Sequence, residues 1–201
     1  MTATQGAPRR PRAVAPVLAR GPRVDLRRLT AADAQAFVTA VVASRALHGS
    51  WVSPPATTSA FVARMKTAAA PDSRWVPLVA VRRDDGGLAG VFNLSEIVRG
   101  LLQQAYLGYY ALAPNAGQGY MQEALPLVLR FAFRSLKLHR IEANIQPGNQ
   151  ASIALVQGAG FVREGFSERY LKIAGRWRDH ERWAINAEQW TRHRRAMAGR
   201  D

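Results

Sequence analysis

The chain has 201 residues with 28 Lys and Arg against 14 Asp and Glu, a formal charge of +14, and no cysteine. That length suits one domain whose core can hold without a disulfide or a structural metal, and the missing cysteine removes thiolate metal sites and any acyl-cysteine chemistry. No apolar run approaches the roughly 20 residues a membrane span needs and no secretory signal is readable, so a globular cytoplasmic protein with no membrane partner is expected.

The four histidines, His48, His139, His180 and His193, have no metal-ligand spacing, so no metal is expected. The charge is concentrated at the ends. Five arginines precede Asp25, and Arg192, Arg194, Arg195 and Arg200 crowd the last ten residues. Such ends favour polyanions, which leaves open ribosome or RNA association as well as simple solubility.

Residues 1 to 22 are rich in Pro, Ala, Gly and Arg without apolar periodicity and read as a disordered basic arm; residues 23–191 read as the domain, and 192–201 as a basic tail. Val24 to Leu29 alternates as an edge strand, and Thr30 to Asp33 offers a helix start. That helix runs to about Val42, and a second begins near Thr58 and stops at Pro71-Asp72-Ser73. Trp75 to Arg83 and Leu88 to Ile97 form a hairpin around Asp84-Asp85-Gly86-Gly87. A fourth strand spans Ala105 to Leu112. Leu125, Val128, Leu129, Ala132 and Phe133 carry helical periodicity from Gly119 to Leu136, with a bend expected at Pro126. A strand at Arg140 to Ile145, a short helix at Ala151 to Gln157, and strands near Phe161 to Leu171 and Trp177 to Ile185 complete an α/β or α+β order with a mixed sheet covered on both faces.

Two stretches carry chemistry. In Tyr109 to Met121 a strand ends, Gly117-Gln118-Gly119 follows, and a helix starts. Such a turn offers free N–H groups at a helix N-terminus, where the dipole favours a phosphate; equally, it is the composition of a plain tight loop. It is not a Walker A loop, since no Gly-Lys-Ser/Thr follows. In the second stretch, Asn149-x-x-Ser152 precedes Leu155 and Gly160-Phe161.

Together these stretches resemble the acetyl-coenzyme A site of the GNAT superfamily. Asn93 to Gly100, Tyr106 to Tyr109, Leu138 to Ile141, Glu164-Gly165, Tyr170-Leu171 and Gly175 to His180 are similar to the RimJ/RimL group of ribosomal-protein-alanine N-acetyltransferases. The likeness extends from about Val24 to Trp190. It implies a mixed, mostly antiparallel sheet of about seven strands, splayed between the fourth and fifth, with the pantetheine arm in the opening.

The resemblance further implies main-chain contacts from Tyr110, Ala111 and Leu112 to that arm, and pyrophosphate on the amides of Gly117, Gln118, Gly119, Tyr120 and Met121. Ala116 departs from the family's usual Gln or Arg at the loop's first position. Asn149 is a pantetheine contact, a helix N-cap, or both. Ser152 would return a proton to the departing thiolate, or serve only a local backbone bond, and Tyr170 is the alternative acid. Glu168 is the first candidate base, followed by Glu142 and Glu96. The implied reaction is direct acetylation of a protein N-terminus, with a ribosomal protein starting in alanine as the expected substrate. Acetylation of a small amine (antibiotic, polyamine or amino acid) and a non-catalytic ribosome- or RNA-binding module remain as alternatives; a monomer and a dimer are both compatible.

Overall fold

The computed structural model describes residues 15–199. One sheet of eight strands runs through it in the order β1-β2-β3-β4-β5-β6-β8-β7. The strands are β1 (Val17–Arg20), β2 (Val24–Arg28), β3 (Val76–Arg82), β4 (Leu88–Val98), β5 (Gln104–Ala111), β6 (Arg140–Ile145), β7 (Val162–Ile173) and β8 (Arg176–Asn186). The helices are α1 (Ala34–Ala43), α2 (Arg45–His48), α3 (Thr58–Ala68), α4 (Tyr120–Arg130), α5 (Gln150–Gly158) and α6 (Ala187–Ala198). Among the described residues, no helix is long and apolar enough to cross a membrane.

Every neighbouring pair in the sheet is antiparallel except β5 with β6. That parallel pair holds only Gln104 to Arg140, Ala105 to Ile141 and Tyr106 to Glu142. β5 then continues to Ala111 and β6 to Ile145 without each other, which is the splay expected between the fourth and fifth strands of the sequence reading.

Two apolar layers cover the sheet. On one face Leu78, Phe92, Leu94 and Leu107 meet Ala124, Leu125, Val128 and Leu129 of α4 and Ile153 and Val156 of α5. On the other, Val79 and Val91 meet Phe37 and Val41 of α1 and Phe61 and Met65 of α3. Phe37 and Phe61 stack with centroids 4.3 Å apart, and removing either ring to alanine costs about 3–5 kcal/mol in such a setting.

Several expectations need correction. Within the arm expected to be unstructured, Val17–Arg20 forms β1, because its backbone pairs with β2 between Val17 and Arg27 and between Arg20 and Asp25; residues 1–14 lie outside the described part. The basic tail is helix through Ala198, because Asn186 accepts from the Gln189 amide and the Gln189 side chain accepts from the Asn186 amide, a reciprocal cap. Trp190, 2% exposed, then anchors α6 against Phe133. The sheet therefore has one strand more than the seven expected.

Helix α4 stays α-helical through Pro126. Pro126 is on the exposed side, where the carbonyl its missing amide abandons can be met by water. The departure from α geometry comes later, as a π-helical turn over Phe131–Ser135 in which Leu136 N–H donates to Phe131 O at 3.0 Å.

One buried ion pair ties β2 to the first helical turn. Arg27 donates to both Asp33 oxygens, at 2.7 and 3.0 Å, and Asp33 also accepts from the Thr30 amide at 2.8 Å. The side chains are 8% and 9% exposed. Removing one partner strands the other charge, so Asp33→Ala is expected to cost about 3–5 kcal/mol in urea unfolding. The double change Arg27→Met with Asp33→Ala should recover part of that loss, and equal losses in the single and double variants would contradict the account.

Candidate functional site

The end of β5 is fixed from below by the α1–α2 junction. His48, 5% exposed, donates from Nε2 to the Ala111 carbonyl at 2.9 Å, and its ring meets Tyr110 edge-on at 5.2 Å. Ser44 accepts from the Ala113 amide at 2.8 Å while its own hydroxyl donates to Ala40 O. Leu112 has no main-chain group to spare, since its N–H bonds Ala89 O and its carbonyl takes the Asn115 amide. The Leu112 N–H points to β4, so by strand alternation the N–H groups of Ala111, Tyr109 and Leu107 face the opening toward β6. The main-chain groups on the open side are thus those of Tyr109 and Ala111, while Tyr110 and Leu112, both expected as contacts, direct theirs to β4.

The loop after β5 is braced from outside. Asn115, 6% exposed, donates to Leu88 O and accepts from Arg82. Gly117 and Gly119 adopt φ of 77° and 80°, a left-handed region that side-chain-bearing residues enter at a cost. Gly119 is the N-cap of α4 and has no side chain to cap with. Among the described residues, none of the N–H groups from Ala116 to Gln122 donates to a protein acceptor, and the first bond back into the loop is Glu123 N–H to Gly119 O. A Cβ built on Gly117 would meet nothing within 4 Å, so the space beside the loop is open.

The other loop residues hold the turn in place. Met121 packs its sulfur over Gly90, where a Cβ would come within 2.2 Å of it. Gln118 bonds Pro114 O through its side chain and receives the Arg23 guanidinium on its carbonyl. That guanidinium lies 4.7 Å from the Tyr120 ring centroid, with Arg82 at 5.6 Å. Glu123 clamps the far side. Burial alone would raise its carboxyl, but the Arg23 amide and guanidinium and the Val24 amide hold it below the usual carboxylate range.

Across the opening, Asn149 caps α5 by accepting from the Ser152 amide at 3.1 Å, which confirms the cap reading and leaves its side-chain NH2 uncommitted. The Ser152 hydroxyl lies 2.6 Å from the Tyr109 hydroxyl, and Tyr109 also reaches Ser152 O at 3.0 Å. Burial pushes the Tyr109 phenol well above its usual value, against the Ser152 hydrogen bond. It stays protonated. Tyr109 is a site residue that sequence reasoning did not single out, because nothing in a strand sequence announces a partner 43 positions away.

The remaining candidates are dispersed. Tyr170 neighbours Tyr106, whose phenol is pushed up to about 12 by that hydroxyl first and by burial next, and lies 6.1 Å from His180. Glu168 is exposed on β7, inside the irregular stretch between Ser167 and Leu171. Glu142 is bonded by Arg140 at 2.7 Å and Glu96 by Arg74 at 2.5 Å. Within the Gly175 to His180 stretch that carries part of the resemblance, Trp177 is exposed and His180 buried.

On the α1/α3 face a cavity of about 290 Å³ abuts Gly108, Tyr109 and Tyr110. Phe61, Met65 and Trp75 form its apolar wall, and Lys172 and Ala174 bring in the β7–β8 turn. It shares Tyr109 with the Ser152 pair, so the cavity and the opening in the sheet meet at one residue.

A family model for the acetyltransferase (GNAT) domain matches residues 23–162. The [ribosomal protein uS5]-alanine N-acetyltransferase of Escherichia coli is 41% identical over 108 residues, 54% of this chain and 56% of that protein. The chain thus spans about half the length of the curated relatives it matches. Among solved structures, Mycobacterium smegmatis RimJ in complex with CoA-disulfide superposes with a TM-score of 0.77 at 30% identity, covering 88% of this chain and 90% of that one. A spermidine N-acetyltransferase from Vibrio cholerae, in complex with CoA and spermine, gives 0.72 at 21% identity over 84% and 98%, a likeness of fold alone. With the family match extending from the start of β2 through α5 and the splayed strands and free-amide turn inside it, the chain belongs to the GNAT acetyltransferase family.

Proposed function

We propose that this chain transfers the acetyl group of acetyl-coenzyme A to the N-terminal α-amine of a protein, a ribosomal protein beginning with alanine being the first acceptor to test. The observation that carries this is the row of unspent N–H groups from Ala116 to Gln122 beside a strand pair that opens after three residues. The name of the Escherichia coli relative supports the acceptor class, and the CoA-disulfide bound by Mycobacterium smegmatis RimJ supports the donor.

The residues present fit a pyrophosphate: free amides in a left-handed turn, a helix dipole behind them and open space above. Gly117, Gln118, Gly119, Tyr120 and Met121 would hold it through the main chain, which is why Ala116 can stand at the first position. Acetyl-coenzyme A supplies an activated thioester. The Tyr109 main chain would align the pantetheine arm, and the Ala111 N–H, facing the opening, would stabilise charge developing on the thioester oxygen. The neutral amine nitrogen would attack the acyl carbon as the carbon–sulfur bond breaks, with Ser152 placed to give the leaving sulfur a proton and to recover one from water. When Tyr109 donates its one proton to Ser152 Oγ, the Ser152 hydroxyl proton is free to point at the leaving sulfur; Tyr170 is the alternative donor. Glu168 takes the amine proton, through water. Among the described residues it is the one glutamate with neither an ion pair nor a hydrogen bond, while Glu96, Glu142 and Glu164 are held by arginines.

Replacing Gly119 by Val forces a β-branched residue into φ of 80° beside Arg23. Strain of about 1–3 kcal/mol translates to roughly a 10- to 100-fold loss of coenzyme A affinity by calorimetry. Unchanged affinity would remove the loop from the cofactor site.

The choice of amine follows from protonation. At pH 7 roughly a tenth of an α-amine is neutral but well under a thousandth of a lysine side chain, a difference of about 3 kcal/mol. A peptide with free N-terminal alanine and an internal lysine should therefore carry acetyl mainly on the alanine when mapped by mass spectrometry. The rate should rise through about pH 8. It should not fall again as the medium passes the ordinary tyrosine range, because the raised pKa of Tyr109 keeps its proton in place. Glu168→Gln should lower kcat by about 10²-fold or more; full activity in that variant would take Glu168 out of the mechanism and leave the acceptor assignment intact.

A further inference from the structure

The cavity beside Tyr109 and Tyr110 is charged on one side only. At about 290 Å³ it sits near the lower end of the roughly 300–1,000 Å³ of small-ligand sites, room for a residue or two of an extended chain. Its charged lining consists of Arg64 and Lys172, and no carboxylate lines it. The Arg64 guanidinium is held 5.0 Å from the Trp75 ring centroid, while the indole N–H is turned to Asn93 Oδ1 at 3.0 Å. Arg64 is also close enough to Tyr110 for its charge to oppose the effect of burial on that phenol.

Both cations are exposed, and among the described residues neither forms an ion pair. A guanidinium fixed on an indole face with its N–H groups unspent is a ready receptor for a carboxylate.

Resting on the N-terminal acetylation proposed above, we infer that the preferred acceptor carries an acidic side chain within the first two residues after its reactive amine, received by Arg64 and Lys172. The same pair disfavours polyamines and lysine-rich N-termini through like-charge repulsion. It also disfavours the ammonium form of the bound amine, which helps present the neutral nucleophile. The +14 charge of the chain adds long-range attraction of the same sign.

The test uses the full chain with peptides beginning Ala-Glu, Ala-Ala and Ala-Lys, and spermidine. Acetyl transfer and equilibrium binding in the presence of coenzyme A are measured for each at low and high salt. Exposed pairs contribute up to about 1 kcal/mol each, so Ala-Glu should outperform Ala-Lys by about tenfold in kcat/KM and in Kd at low salt. The gap should narrow with salt. The double variant Arg64→Glu with Lys172→Glu, checked for an unchanged melting temperature, should invert the order. Equal use of the peptides, preference for Ala-Lys or spermidine, or an unchanged order in the double variant would overturn the inference. Binding that favours Ala-Glu without turnover of any peptide would support the charge preference while overturning N-terminal acetylation, and turnover without preference would do the reverse.

Discussion

A parallel strand pair that stops after three residues leaves the next backbone groups of both strands without partners, and every buried N–H and C=O must be met somewhere. β5 runs on for five residues past its last bond to β6. It keeps its line because β4 pairs with it continuously from Tyr106 to Ala111 on the other side, and because His48 takes the Ala111 carbonyl. What remains on the open side is a short row of oriented main-chain groups. The splay therefore costs the fold little once β4 and α2 hold β5, and it is the feature on which the neighbouring site depends.

The same logic extends to the turn between β5 and α4. A helix N-terminus leaves its first amides without intrahelical partners, and most helices satisfy one with a Ser, Thr, Asp or Asn cap. α3, α5 and α6 do so through Thr57, Asn149 and Asn186. α4 begins instead at a left-handed glycine with no cap. The protein fastens this turn by its carbonyls and side chains, through Arg23, Gln118, Asn115 and Met121, and so leaves the amides free. Positive charge accompanies them from outside the loop: Arg23 and Arg82 both lie over Tyr120. A first-position alanine is tolerable on these terms, since the cations come from Arg23, just before β2, and from Arg82 of β3.

Much of this was legible in the sequence, and the limits have physical causes. β6 from Arg140 to Ile145 and the start of α3 at Thr58 were read at their observed positions, because alternation and a capping threonine are local signals. The glycine turn was readable for the same reason: Gly117 and Gly119 announce a backbone that other residues avoid. β1 was not, since Val17–Arg20 is partly exposed and gains its conformation from β2. The helical tail was missed because one buried residue, Trp190, anchors an otherwise arginine-rich surface. Within the site, the Tyr109–Ser152 pair and the His48–Ala111 bond join residues 43 and 63 positions apart, and no spacing rule reaches that far.

The acceptor side shows how a fold held in common can be directed to different amines. On the proposed reading the sheet opening and the free-amide turn receive the acyl donor and leave the acceptor unspecified; a spermidine enzyme shares the architecture at 21% identity. On that reading discrimination falls to the walls of the cavity on the opposite face, supplied by α3, by Trp75 just before β3, and by the β7–β8 turn. Those segments can vary in charge without disturbing either apolar layer, since Arg64 and Lys172 are exposed while Phe61 and Met65 on the same helix carry the packing. A polycationic acceptor calls for carboxylates on such a wall, and here the charged positions hold cations. On the proposed reading the donor half of the site goes with the fold, and the sign of charge on the cavity wall sets which amine is accepted.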